Sequence, residues 1–217
     1  MRLVIMGPPA AGKGSQAPFI TNEYNVPHIS TGQMFREFTK QDTELGKRIK
    51  EVLAKGHLIE DDLTNEMVKE RLSQKDVEKG FLLDGYPRNI RQAQFLDEFL
   101  QEKGLKLDFV ISLYCDEEII VKRIVGRRSC PTCGRIYNVY FTKPEVDGIC
   151  DDDKTPLTKR EDDTKEVAIE RLRVYHKQTE PLYEYYKQKG LILDVDGGLP
   201  LSQDTFEQVK QAIGGHK

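Results

Sequence analysis

The 217-residue chain has no apolar run long enough to span a membrane. Its first residues, MRLVIMG, enter a glycine-rich loop directly, leaving no room for a signal peptide. It also lacks an excess of positive charge: 33 Lys and Arg stand against 36 Asp and Glu, a net charge of -3. No overall basic field would draw it to nucleic acid or to an anionic membrane surface. There is no basic stripe interleaved with aromatic residues, no internal repeat and no low-complexity tract. These absences make the cytosol the default location and assign any affinity for phosphate to local clusters of Arg and Lys. Cysteine is sparse, with four in all. Cys115 lies in an apolar run, while Cys130, Cys133 and Cys150 cluster, a pattern that favours metal over disulfide in a reducing compartment.

What is present is 38% hydrophobic and 32% charged, enough for one core with insertions. Short apolar runs occur at residues 2–6, 26–30, 80–87, 108–115 and 191–197, each too short for a helix and too evenly apolar for an exposed strand. Amphipathic, charged stretches lie between them: 13–24, 33–55, 61–74, 89–103, 117–125, 164–189 and 202–213. This alternation predicts an α/β protein, a doubly wound parallel sheet with helices on both faces. Ligands bind such sheets beyond the carboxyl ends of the strands, where Gly7, Asp84 and Cys115 would emerge. From 126 to about 163, clustered cysteines, prolines and glycines predict a small insertion of hairpins and turns.

The loop GPPAAGKGSQA follows the first strand run and opens a helical pattern. Gly7, Gly12 and Lys13 have phosphate-loop spacing, but Gly14 follows the lysine and the hydroxyl arrives one place late, at Ser15. Backbone N–H groups, a helix amino end and the Lys13 charge suit a nucleotide phosphate; the plainer reading is a glycine-rich turn with an incidental lysine. Arginine is the natural partner of a transferring phosphoryl group, since its fork binds oxygens bidentately and keeps its charge. Candidates are Arg36, Arg88, Arg123, Arg127, Arg160 and Arg171, any one of which alone would read as a surface charge. No His, Glu or Asp is placed as a general base. A phosphate monoester with a second pKa of about 6 needs none at neutral pH.

In the insertion, C-P-T-C at 130–133 and Cys150-Asp-Asp-Asp153 form two pairs that can close a tetrahedral site. Asp153 is the fourth ligand by spacing, with Asp151 and Asp152 competing, and a redox C-x-x-C is the alternative chemistry. A closed four-ligand zinc site would be structural, supporting an insertion too small to bury much core. Asp163, with Glu166 three residues on, reads as the cap of the helix that follows. Tyr175, Tyr183, Tyr185 and Tyr186 on that helix read as packing.

GKGSQA, STGQMFR (30–36), GFLLDGYPRNIRQAQ (80–94), GRRSCPTCG (126–134) and KREDD (159–163) together resemble the adenylate kinases, in the long bacterial form whose lid carries a metal knuckle. The match runs nearly end to end. The resemblance implies a phosphate-loop fold with a five-stranded parallel sheet and core segments 1–29, 60–126 and 165–217. A helical AMP-binding insert at 30–59 and a zinc-bearing lid at 127–164 would complete it.

It also implies reversible Mg2+-dependent transfer from ATP to AMP, giving two ADP, by a cytoplasmic monomer with no nucleic-acid or membrane partner. ATP would touch Ala10, Ala11, Gly12, Lys13, Gly14, Ser15, Arg123, Arg127, Ile136, Tyr137 and Leu199. AMP would touch Thr31, Arg36, His57, Leu58, Ile59, Gly85, Tyr86, Pro87, Arg88, Gln92, Arg160 and Arg171. Lys13, Asp84, Arg88, Arg123, Arg160 and Arg171 would carry catalysis, Asp84 by holding Mg2+ through water. Cys130, Cys133, Cys150 and Asp153 would hold Zn2+.

The chain departs from the family pattern at Ala10 (usually Gly), Ser15 (Thr), Gln33 (acidic), Glu60 (Pro) and Tyr86 (Phe). Ala10 matters most, because an added methyl would be disfavoured if that residue needs positive φ or close phosphate approach. Two rival readings keep part of this pattern: a kinase for another nucleoside monophosphate or a small non-nucleotide acceptor, and a zinc-knuckle nucleic-acid module.

Overall fold

The computed structural model describes residues 1–199 and 202–215. The apolar runs become five parallel strands, β1 (Arg2–Met6), β2 (His28–Ser30), β3 (Phe81–Asp84), β4 (Phe109–Tyr114) and β7 (Ile192–Asp196). Their order is β2-β3-β1-β4-β7, so β1 sits centrally with β3 and β4 as neighbours. The sheet is covered on both faces, and this is why its strands lack the polar–apolar alternation of an exposed sheet.

Alternate side chains feed two different cores. Val4, Met6, Leu83 and Val110 pack with Leu96, Phe99 and Leu100 of α5 (Ile90–Glu102) and with Leu182 and Tyr186 of α8 (Leu182–Lys187). Leu3, Ile5, Leu82 and Ile111 face the opposite way, against Ala17 and Ile20 of α1 (Lys13–Tyr24) and Phe206, Val209 and Ile213 of α9 (Ser202–Gly214). Each such buried aliphatic or aromatic side chain contributes about 1.5–3 kcal/mol relative to exposure.

Residues 30–59 carry α2 (Thr31–Thr39) and α3 (Glu44–Ala54), with a small core of Phe35, Ile49 and Ile59. The continuous stretch expected at 33–55 is therefore broken. Thr43 caps α3 by accepting from Gly46 N at 3.0 Å, and Gly46 lies so close that a Cβ would stand 2.6 Å from the Phe38 carbonyl oxygen. At the start of α4 (Asp61–Arg71), Glu60 has φ -52°, a value that proline also takes, and its carbonyl accepts from Thr64 N at 3.0 Å. Glu60 also pairs with Arg48 at 2.9 Å, so the departure from proline is accommodated without strain.

Helix α6 (Glu117–Gly126) leads into the second insertion, where β5 (Arg127–Ser129) and β6 (Ile136–Asn138) pair antiparallel. The stretch 164–189 is also not one helix. It divides into α7 (Lys165–Val174), a π-helical turn (Tyr175–Thr179) and α8, with Pro181 immediately before α8. The capping expectation for Asp163 is corrected here. The cap is Thr164, whose Oγ1 accepts from Val167 N at 3.3 Å, while Asp163 is fully buried and holds arginines.

Candidate active site

The loop leaving β1 turns on two glycines that have no substitute. Gly7 has φ 140°, and a methyl there would run into the Leu113 carbonyl. Gly12, with φ 102°, stands at the amino end of α1. Ala10 also adopts the left-handed region, at φ 57°, so an alanine here holds a backbone conformation that favours glycine. Its methyl packs against the cluster of Ile120, Ile124, Ala168 and Leu172. The Lys13 ammonium folds back over the loop, donating to the carbonyls of Gly7 and Pro8 at 2.7 Å each. Burial, then Arg88 and Arg127, pull its pKa down to about 8 against the opposing pull of Asp84.

Asp84 ends β3 beside this loop and receives His28 Nε2 from the neighbouring strand β2 at 3.3 Å. Burial alone would raise its pKa, but the His28 bond and the Lys13 and Arg88 charges outweigh it and hold the carboxyl below its usual range. Following β3, Thr31 Oγ1 and Arg88 Nε both donate to the Gly85 carbonyl at 2.8 Å. Gln92 is buried, its Oε1 accepting from Arg88 N at 2.8 Å and its Nε2 donating to Asp61 Oδ1 at 2.8 Å. Tyr86 occupies the ring position of the family's phenylalanine and satisfies its hydroxyl on Asn65 Oδ1 at 2.7 Å. Pro87 follows it through a cis peptide bond. Ile59 turns its side chain into the small core, and the His57 ring meets Glu170 of α7 at 3.1 Å.

The arginines converge on this end of the sheet. Arg127 forks onto Asp163 through Nε at 2.9 Å and through Nη2, and Arg171 binds Asp162 and approaches Asp163 at 3.7 Å. Arg36 and Arg160 form no side-chain hydrogen bond or ion pair among the described residues. Burial, followed by its neighbours Arg127 and Arg36, lowers the Arg160 pKa to about 9, while Asp163 and Asp162 oppose the shift. Two unpaired guanidiniums facing other cations are a preformed demand for anionic oxygens. Arg123 lies deeper, its Nη1 donating to Gly197 O at 2.6 Å and its Nη2 to Leu199 O at 3.5 Å.

From the second insertion, Ile136 Cδ1 lies 3.7 Å from where a Gly14 side chain would begin, so the hairpin covers the phosphate loop. Tyr137 points the other way, buried against Cys130 and Cys150. Cys130, Cys133, Cys150 and Asp153 bring their ligand atoms within 4.8 Å of one another. Three sulfurs and one carboxylate in such a space suit a tetrahedral cation with a taste for thiolate. The competing aspartates are engaged elsewhere: Asp151 accepts from Glu145 N at 2.8 Å, and Asp152 pairs with Arg135.

A family model described as adenylate kinase matches residues 5–191. The chain belongs to the adenylate kinase family. The adenylate kinase of Acholeplasma laidlawii is 54% identical over 204 residues, 94% of each chain. That of Acetivibrio thermocellus is 49% identical over 217 residues, the whole of both, and that of a Thermoanaerobacter species is 47% identical over 214, 99% of this chain and 98% of the relative. The protein is thus a phosphotransferase acting on ATP, AMP and ADP, and adenylate kinases use Mg2+ with ATP. Among the described residues no helix is long and apolar enough to cross a membrane.

Several residues that brace the candidate site were not singled out from sequence. His28 was legible only as part of a strand ending beside Asp84, and Asp61 only as a helix-start acid, although it carries Gln92. Thr179, which donates to the Arg88 carbonyl at 2.8 Å, sits in the π-helical turn and gave no sequence signal. Gln33 is exposed, and nothing in the structure explains the loss of the family's acidic residue there.

Proposed function

We propose the following division of labour for the phosphoryl transfer. ATP lies along the phosphate loop (Ala10 to Ser15), with Arg123, Leu199 and the main chain at Ile136 and Tyr137 around its base and sugar. Arg127 serves its phosphate chain. AMP lies between residues 30–59 and the turn after β3, its base against Thr31 and Gln92 and its phosphate held by Arg36 and Arg88. The main chain at His57, Leu58, Ile59, Gly85, Tyr86 and Pro87 completes the pocket. Lys13, Arg160 and Arg171 reach the group in flight, where charge is spread over the equatorial oxygens. Asp84 would orient water bound to Mg2+, which supplies charge neutralisation for the phosphate chain.

The observation that carries this reading is the convergence of Lys13 with Arg36, Arg88, Arg127, Arg160 and Arg171 before one phosphate loop, two of the guanidiniums having no side-chain partner among the described residues. In this reading residues 127–164 are a lid and residues 30–59 a second closing insert, both excluding water when shut. The Cys3Asp cluster holds a structural Zn2+. The enzyme works as a cytoplasmic monomer. Acceptor choice is the test: with MgATP as donor, AMP is expected to turn over at least tenfold faster than UMP or CMP. Comparable rates would overturn the assignment of Thr31 and Gln92 as base contacts.

A further inference from the structure

Tyr137 sits on the hairpin that covers the phosphate loop, yet its side chain does not face nucleotide. The ring is 1% exposed, packed with Cys130, Cys150 and Leu157, and the Arg135 guanidinium lies 5.0 Å from its centroid. The hydroxyl oxygen is 2.8 Å from Asp151 N and 3.4 Å from Cys150 Sγ. An amide N–H can only donate, so the phenol accepts there and its single proton is left for the sulfur. A metal-bound cysteine is a thiolate with no proton of its own, so the donor direction suits a loaded site.

We infer that Tyr137 is an outer-shell residue of the metal centre, donating O–H···S to Cys150 and so tying metal occupancy to strand β6. The inference rests on the proposed reading of the Cys3Asp cluster as a zinc site. Other donors to the ligands are local main-chain groups, among them Cys133 N to Cys130 Sγ at 3.4 Å, Thr155 N to Asp153 Oδ1 at 3.0 Å, and the Asp152 and Asp153 amides to Cys150. Tyr137 differs in reaching across from another element. Successive side chains of a strand point to opposite sides. With Tyr137 fixed to the ligand, Ile136 is directed over Gly14, and metal geometry is read out where ATP phosphates would lie.

The full-length protein and its Tyr137→Phe variant, each loaded with Zn2+ or Co2+, test this. Both are expected to bind one metal per chain, with the variant holding Zn2+ about 10–100-fold more weakly in competition with a chromophoric chelator. Its thiolate-to-cobalt charge-transfer band is expected to shift, a signature that altered packing alone would leave in place. Equal affinity and an unchanged band would overturn the outer-shell role while leaving the metal site standing. A wild-type protein that binds no metal would overturn both. Because the hydroxyl also accepts from Asp151 N, the metal-free variant is expected to melt somewhat below metal-free wild type, with a larger gap between the two zinc-loaded forms; a gap no larger with zinc than without it would assign the effect to packing and overturn the inference.

Discussion

Ala10 holds a backbone φ of 57° that L-residues adopt at a cost, and its methyl is part-buried against Ile120 and Leu172. The two effects oppose each other: left-handed backbone costs about 1–2 kcal/mol, and a buried methyl returns up to about 0.8 kcal/mol. The methyl thus offsets only part of the backbone cost, and the loop carries the remainder. That cost also limits what else can stand there. Ala10→Val places a β-branched residue in the same region and is expected to cost at least about 1 kcal/mol more. Calorimetry should show this as a melting-point drop of about 2–4 °C or more for a chain of this size. An unchanged melting point would mean that the loop relaxes out of the left-handed region.

At the scale of elements, the strands were the most legible feature, because a sheet covered on both faces leaves unbroken runs such as RLVIM and FVISLY. Helix ends were less so. The break before α3 depends on Thr43 and on the tight seat of Gly46, a tertiary fit with Phe38 that periodicity does not register. The π-helical turn had one hint, Pro181, inside an otherwise continuous amphipathic stretch. Asp163 was misassigned because an aspartate before a helix has two uses, cap or ion partner, and only the approach of Arg127 decides between them.

The π-helical turn also carries a pH dependence. His176 Nε2 meets Glu117 of α6 at 2.9 Å and its Nδ1 meets Glu180 at 3.0 Å, joining α6 to the segment before α8. The Glu180 bond is the largest influence; burial opposes it, and the Glu117 bond with the two carboxylate charges tips the imidazole pKa upward. A raised folded-state value means the stabilisation is complete below the unfolded pKa of about 6.5 and is lost as pH rises through the folded value. Since the pair is well exposed, the effect should stay within about 1 kcal/mol. Melting curves of wild type and His176→Gln should therefore differ most near pH 6 and converge toward pH 8. A gap independent of pH would show that the imidazolium charge plays no part.

For the molecule as a whole, the two insertions have little core of their own: Phe35, Ile49 and Ile59 in one, and Cys130, Tyr137 and Cys150 in the other. In the proposed reading zinc stabilises the second, so chelation is expected to lower the melting temperature and to loosen residues 127–164 before it alters the sheet core. Identical melting of metal-loaded and metal-free protein would contradict a structural zinc.

The convergence of arginines on the phosphate loop was legible in the sequence only through motif order, since charge-bearing residues from 36 to 171 have no local signature of meeting. The fold supplies it by setting the strand ends, α6 and α7 around one crevice. The most direct measurement is ADP formation from MgATP as AMP is added, with Arg88→Ala as control. The account predicts two ADP for each AMP consumed and a fall of at least about 100-fold in the variant, the loss of one charged transition-state contact. ADP formation that ignores AMP, or a variant as active as wild type, would contradict it.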